Sequence, residues 1–156
     1  MKKNIIGSIK SLYEKEVSFD CIPTTGGIYR VYLPEGQALK VRPMEEIQKE
    51  YGDREFDSRE ELEEKINKLS GATEEEQRLL YVGNSGNLRR RIKQLIKYGY
   101  NKGDNHEGGK HIWCIENNKD LIVTFEECEN YKERKKEELE NYMDRNGSFP
   151  FAKKNK

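Results

Sequence analysis

Leu79-Leu80-Tyr81-Val82-Gly83 runs into Asn84-Ser85-Gly86-Asn87 and then into Leu88-Arg89-Arg90-Arg91-Ile92. The first residues are apolar, β-branched or aromatic and stop at a glycine, which is the composition of a short strand. The polar turn behind them can cap a helix. Leu88, Ile92, Leu95 and Ile96 then recur at helical spacing with Arg and Lys between them, so a helix is expected over about 88–98.

Upstream, Pro23-Thr24-Thr25-Gly26-Gly27 breaks the chain before Ile28-Tyr29-Arg30-Val31-Tyr32-Leu33, a second strand pattern that ends at Pro34-Glu35-Gly36. Ile5, Ile9, Leu12 and Tyr13 predict a short amphipathic helix over 4–16. Between the two strands, about 36–78, the chain is acidic and helical in pattern. Ser58 can cap a helix carrying Leu62, Ile66 and Leu69, and Thr73 a further one. Downstream, His111-Ile112-Trp113-Cys114-Ile115 and Leu121-Ile122-Val123-Thr124-Phe125 predict a hairpin. A last helix is expected over about 131–145, stopped at Asn146-Gly147, with an apolar Phe149-Pro150-Phe151-Ala152 tail docking back. The fold class is therefore α+β: a small, mostly antiparallel sheet flanked by helices, with a helical insertion between the first two strands, in a single domain over 1–156.

Composition narrows the function. No apolar run approaches the roughly 20 residues that span a bilayer, and no signal-length stretch follows Met1-Lys2-Lys3, so a cytoplasmic chain with no membrane partner is expected. Cys21, Cys114 and Cys128 form no CxxC pair, which argues against a disulfide framework or a structural zinc, and Cys114 and Cys128 read as small buried thiols. Net charge is zero, but its distribution is uneven. Residues 89–110 hold seven basic side chains against two acidic ones, whereas 45–76 hold thirteen acidic against five basic. A basic face on a neutral chain suits phosphate contacts. Gly83-Asn84-Ser85-Gly86-Asn87 lacks the GK[ST] ending of a P-loop, and no HExxH spacing is present.

Taken together, Gly27-Ile28-Tyr29, Tyr81-Val82-Gly83, Arg91 ten residues after Tyr81, glutamates on a late helix and a Pro- and Asn-containing tail resemble the GIY-YIG nuclease superfamily over about 26–156. Gly108-Gly109-Lys110-His111-Ile112-Trp113 and Pro150-Phe151-Ala152 look like its small stand-alone bacterial members. The resemblance implies a metal-dependent endonuclease that hydrolyses phosphodiester bonds of double-stranded or branched DNA. Tyr29 and Tyr81 would line the site, one hydroxyl helping to activate water. Arg91 would hold a non-bridging phosphate oxygen. His106 would contact phosphate or shuttle a proton, with His111 the weaker candidate. One glutamate among Glu133, Glu137, Glu138 and Glu140 would bind Mg²⁺ or Mn²⁺, Glu140 first and Glu137 second. Arg89, Arg90, Lys93, Lys97 and Lys110 would follow the DNA backbone. A double-strand cut is compatible with a homodimer.

Three positions depart from the family pattern. Val82 replaces Ile, Asn84 stands where Lys is common, and Lys153 stands where the subgroup has Asn, with Asn146 or Asn155 as substitutes. Two other functions compete with the endonuclease. One is a nucleic-acid-binding module on the same fold that has lost catalysis. The other is a protein-interaction domain built on the acidic 45–76 segment, whose charges are more simply a solubilising face.

Overall fold

The computed structural model describes residues 4–52, 54–103 and 105–153, so Asn155 and Asp104 lie outside the described residues. Its centre is a four-stranded antiparallel sheet: β1 (Asn4–Ser8), β2 (Gly27–Tyr32), β3 (Leu79–Ser85) and β4 (Ile122–Glu127), in the order β1-β4-β2-β3. The strands expected at 28–33, 79–82 and 121–125 are present as β2, β3 and β4, each a short, apolar run next to turn residues. β2 pairs with β3 so that Tyr29 faces Gly83 and Val31 faces Tyr81. Because side chains alternate, this register puts Tyr29 and Tyr81 on one face of the sheet and Arg30 on the other.

The insertion is helical, as expected. It contains α2 (Met44–Tyr51), α3 (Arg59–Lys68) and α4 (Glu74–Arg78), which follow the short helix α1 (Ile9–Tyr13) in the chain. Ser58 and Thr73 each form a full capping box, with Glu61 and Glu76 returning the bond. Ile47, Tyr51, Leu62 and Leu69 join the same apolar core as the sheet. α5 (Leu88–Gly99) is capped by Asn87, whose side chain accepts from the Arg90 N–H. α6 (Tyr131–Asn146) ends at Gly147, which takes φ +70°, a left-handed C-cap that glycine adopts without strain.

Two expectations fail. Residues 4–16 are not one helix. Asn4–Ser8 form the edge strand β1 against β4, and only from Ile9 does the helical spacing hold. Ser8 marks the change by accepting the Ser11 N–H at 3.1 Å. Ile6 is buried while Ile5 is 74% exposed, the alternation of a strand. Residues 111–115 are likewise not a strand, and the expected hairpin does not form. Glu107–Cys114 coil as two short 3₁₀ segments that meet in a kink at Gly109. An apolar run buried on all sides carries no periodicity to separate strand from helix. Trp113 lies so close over Gly99 that a Cβ there would overlap its ring, and only Ile115 makes an isolated bridge, to Val41.

The C-terminal tail docks as expected. Phe151 and Ala152 are fully buried, and the Ala152 N–H donates to the Leu80 carbonyl at 2.8 Å. This bond occupies part of the free side of β3, an edge strand whose unpaired groups would otherwise invite other strands.

A charged clamp on the Arg30 face holds α6 across β2 and β3. Arg30 Nε and Nη2 donate to Glu138 Oε2 and Oε1 at 2.9 and 2.5 Å, and Nη1 donates to Glu126 Oε1 at 3.3 Å. Arg134 closes the network by donating to Glu126 Oε2 at 2.6 Å. The Arg30 side chain is only 4% exposed. Removing a carboxylate from such a group leaves buried charge uncompensated. Glu138→Ala is therefore expected to cost about 2 kcal/mol, with Glu126 retaining part of the pairing, as measured by urea unfolding.

Candidate functional site

Tyr29 lies mid-strand in β2 with its ring across the backbone of Gly83. A Cβ at residue 83 would overlap that ring, so the glycine that ends Tyr81-Val82-Gly83 makes room for the tyrosine of Gly27-Ile28-Tyr29. The chain then brings in a third ring. The segment after α5 turns back so that His106 Nε2 sits 2.6 Å from Tyr29 Oη. Tyr81 completes the group: ring centroids are 6.0 Å apart for Tyr29–Tyr81, 5.9 Å for Tyr29–His106 and 5.6 Å for Tyr81–His106. Gly108 and Gly109 allow this closeness. A Cβ on the first would come within 2.9 Å of Tyr81 Oη, and one on the second within 2.8 Å of His106 Cε1.

Arg91 reaches the cluster from α5. Its Nη1 donates to Gln94 Oε1 at 2.8 Å and to the Asn105 carbonyl at 3.1 Å, which fixes the guanidinium plane. Its charge acts on Tyr29, Tyr81 and His106 alike. Burial raises the Tyr29 hydroxyl well above its ordinary value and the neighbouring Tyr81 adds to the rise, with Arg91 opposing only in part. Burial also raises Tyr81, against Arg91 and a hydrogen bond with Tyr29. Both phenols therefore stay protonated near neutral pH. His106 falls to about 3, first through burial and then through the charges of Arg91 and Lys135. The imidazole is neutral and its single N–H leaves two arrangements for the Tyr29 bond: the phenol donates to Nε2, or Nε2–H donates to the phenol oxygen.

Lys135 is the residue that the sequence reading missed. It stands one helical turn before Leu139 on the stripe of α6 that also carries the buried Tyr142. It is half-buried, and burial, then Lys153, then Arg91 lower its pKa. The signal was legible as the i, i+4, i+7 series Lys135, Leu139, Tyr142, in which the polar member is a lysine.

The glutamates fall elsewhere. Glu138 is taken by Arg30 on the other face of the sheet. Glu133, Glu137 and Glu140 are exposed. Glu137 and Glu140 lie roughly 160° and 140° around the helix from Lys135, so neither shares its stripe. Glu137 instead borders a surface depression with Arg134, Asn141 and Arg145. Of the tail candidates, Lys153 lies near Lys135, while Asn146 acts on Glu76.

The other basic residues divide. Arg90 and Lys97 are exposed on α5. Arg89 is committed to structure, its Nε donating to the Ile22 carbonyl at 2.8 Å and Nη2 to the Asp20 carbonyl at 3.2 Å. Lys93 lies over Phe19, and Lys110 pairs with Glu107 at 3.3 Å beside Phe56. His111 accepts the Asp57 N–H at 3.1 Å, which ties the insertion to the 3₁₀ segment. Much of the acidic segment is paired, as in Arg59–Glu63, Lys65–Asp57 and Arg145–Glu76. Cys114 is buried, whereas Cys128 is half-buried and Cys21 exposed.

A Mg²⁺- or Mn²⁺-class ion takes mainly oxygen ligands, and carboxylates offset its charge. Among the described residues, the groups that act on Tyr29, Tyr81, His106 and Lys135 include Arg91 and Lys153 but no carboxylate. No group of three His, Cys, Asp or Glu side chains able to hold a metal occurs among those residues either. The donors at this site do not fit a divalent cation. No helix among the described residues is long and apolar enough to cross a membrane. No protein-family model matches the chain, and no curated protein or solved structure is significantly similar to it.

The depressed His106 value has a pH signature. The folded state keeps the ring neutral while the unfolded chain takes up a proton near pH 6.5, so stability is fully present above that pH and is lost as pH falls toward about 3. The loss approaches about 1.4 kcal/mol per pH unit inside that window. His106→Asn is expected to remove this one-proton slope from urea unfolding free energies measured between pH 7 and 4.

Proposed function

We propose that this chain is a GIY-YIG-type domain that binds the phosphodiester backbone of a nucleic acid, with metal-assisted cleavage lost. One observation carries the reading. Tyr29, Tyr81, Arg91 and His106 are distant in sequence and converge on one cluster, and the further charges beside it are those of Lys135 and Lys153. Arg91 is the phosphate contact, presented by a helix whose exposed Arg90 and Lys97 extend the positive surface. Tyr29 and His106 are closed off from solvent, at 1% and 0% exposure, so they form the floor of the site.

The endonuclease remains a second reading on a specific observation. At 2.6 Å, His106 is in hydrogen-bond reach of Tyr29, the contact a proton relay needs, although burial makes the imidazole a weak base. That reading has a tyrosine–histidine contact but no ligand set for the cation.

Fluorescence anisotropy with labelled duplex and single-stranded DNA, run beside a supercoiled-plasmid nicking assay with Mg²⁺ or Mn²⁺, separates the two. Salt-sensitive binding without nicking is the expected result. Arg91→Gln should weaken binding about tenfold and lower the magnitude of the salt slope by about one. Metal-dependent nicking that Tyr29→Phe abolishes would return the protein to the endonucleases. Absence of binding to either DNA would sink both readings.

A further inference from the structure

We infer that Gln94 is a positioning residue for the phosphate contact: with the Asn105 carbonyl it occupies one end of the Arg91 guanidinium, so that the Nε–Nη2 edge is the one presented to two oxygens of a phosphodiester. The inference rests on the nucleic-acid reading above and deepens it by assigning which edge of Arg91 binds and what holds that edge.

α5 sets the positions. Its Leu88 and Arg89 N–H groups donate to the Thr25 and Pro23 carbonyls, both at 3.0 Å, and Ile92, Leu95 and Ile96 are buried, which fixes the rotation of the helix. Arg91 and Gln94 stand three residues apart, neighbours on one side of α5, and both are half-buried. Arg91 Nη1 carries two hydrogens. One goes to Gln94 Oε1 at 2.8 Å and the other to the Asn105 carbonyl at 3.1 Å. An anion is therefore left the Nε and Nη2 hydrogens, which run parallel and match two oxygens of one phosphate.

The second acceptor is itself held. Asn105 Oδ1 accepts the Glu107 N–H at 3.1 Å, and His106, the residue between them, places Nε2 2.6 Å from Tyr29 Oη. Nη1 thus joins α5 to the segment that closes over the tyrosines, and both ends of that join are anchored.

The kind of acceptor separates Arg91 from the arginines that hold the fold. Arg30, Arg42, Arg134 and Arg145 each donate to a carboxylate, which offsets their charge. Among the described residues, the side-chain hydrogen bonds of Arg91 go to an amide and a peptide carbonyl, both neutral. Neutral acceptors orient a guanidinium without cancelling its charge, which stays available to an anion. A carboxylate at position 94 would hold the same group and neutralise it.

A double-mutant cycle over Arg91 and Gln94 tests the assignment. Binding of a labelled oligonucleotide is measured by fluorescence anisotropy, and of inorganic phosphate by isothermal titration. Gln94→Met keeps the length of the side chain and removes the acceptor. It should weaken both ligands about fivefold, the contribution of roughly one hydrogen bond. The salt slope for the oligonucleotide should stay at the wild-type value, because the guanidinium is retained, whereas Arg91→Met should lower its magnitude by about one. In the Arg91→Met background, Gln94→Met should change oligonucleotide affinity by less than about twofold. Gln94→Asn, whose shorter side chain withdraws the acceptor, should repeat the Gln94→Met result, and thermal midpoints check that each variant is folded.

Equal weakening by Gln94→Met with and without Arg91 would make Gln94 a structural residue only and overturn the inference, leaving the nucleic-acid reading in place. So would wild-type affinity in both folded Gln94 variants. Phosphate binding that Gln94→Met weakens, without oligonucleotide binding, would support the Arg91 assignment while removing the nucleic-acid reading. Failure of the wild type to bind either ligand would overturn both.

Discussion

The ion pair between buried Arg30 and half-buried Glu138 sets the geometry of α6 against the sheet. Arg30 projects from the middle of β2 on the face opposite Tyr29, and Glu138 takes it in a two-point grip. Glu126 and Arg134 complete the network, so every charge in it has a partner. A two-point contact constrains both the position of α6 and its rotation. Once Glu138 is spoken for, the other residues of α6 have no freedom to choose a face. Leu139 and Tyr142 point into the core, Glu137 and Glu140 point to solvent, and Lys135 is left beside Arg91 and Lys153.

The aromatic cluster on the other face is held by absences of side chain. Gly83 leaves space for the Tyr29 ring, and Gly108 and Gly109 leave space for Tyr81 and His106. Three rings with centroids about 6 Å apart exclude water from their hydroxyl and imidazole groups. Burial then decides the chemistry: both phenols keep their protons and the imidazole stays neutral. The same tyrosines in an open, wetter site beside a metal would be candidates for water activation. Here they are buried and protonated, with the Arg91 charge acting on both.

Folding and function meet in the C-terminal segment. The tail satisfies the Leu80 carbonyl on the free edge of β3 and buries Phe151, which are stabilising contacts in their own right. The same contacts fix the backbone beside Lys153, whose Nζ lies over the Phe149 ring. The acidic insertion has a quieter part. Its helices are capped locally, its core residues join the main core, and many of its carboxylates are neutralised within the insertion or by α6. That pattern fits a solubilising surface better than a docking face for a basic partner.

Sequence by itself determined β2, β3, α5 and α6, because each carries strong local periodicity and a chemical stop signal: Gly83 after a strand, Asn87 before a helix, Gly147 after one. Tyr29, Tyr81, Arg91 and His106 were named only through the resemblance to the GIY-YIG pattern, and their convergence on one cluster is a tertiary fact. Sequence misread 4–8 and 111–115, where the decisive contacts are non-local: β4 in the first case, Gly99 and the surrounding core in the second. The charge at the site was decided only by tertiary structure. A helix with so many Lys and Glu residues has no unique inward face in its sequence. Which residue of the helix turns inward depends on how Arg30, on a distant strand, holds it through Glu138, and that hold leaves Lys135 half-buried and Glu133, Glu137 and Glu140 in solvent.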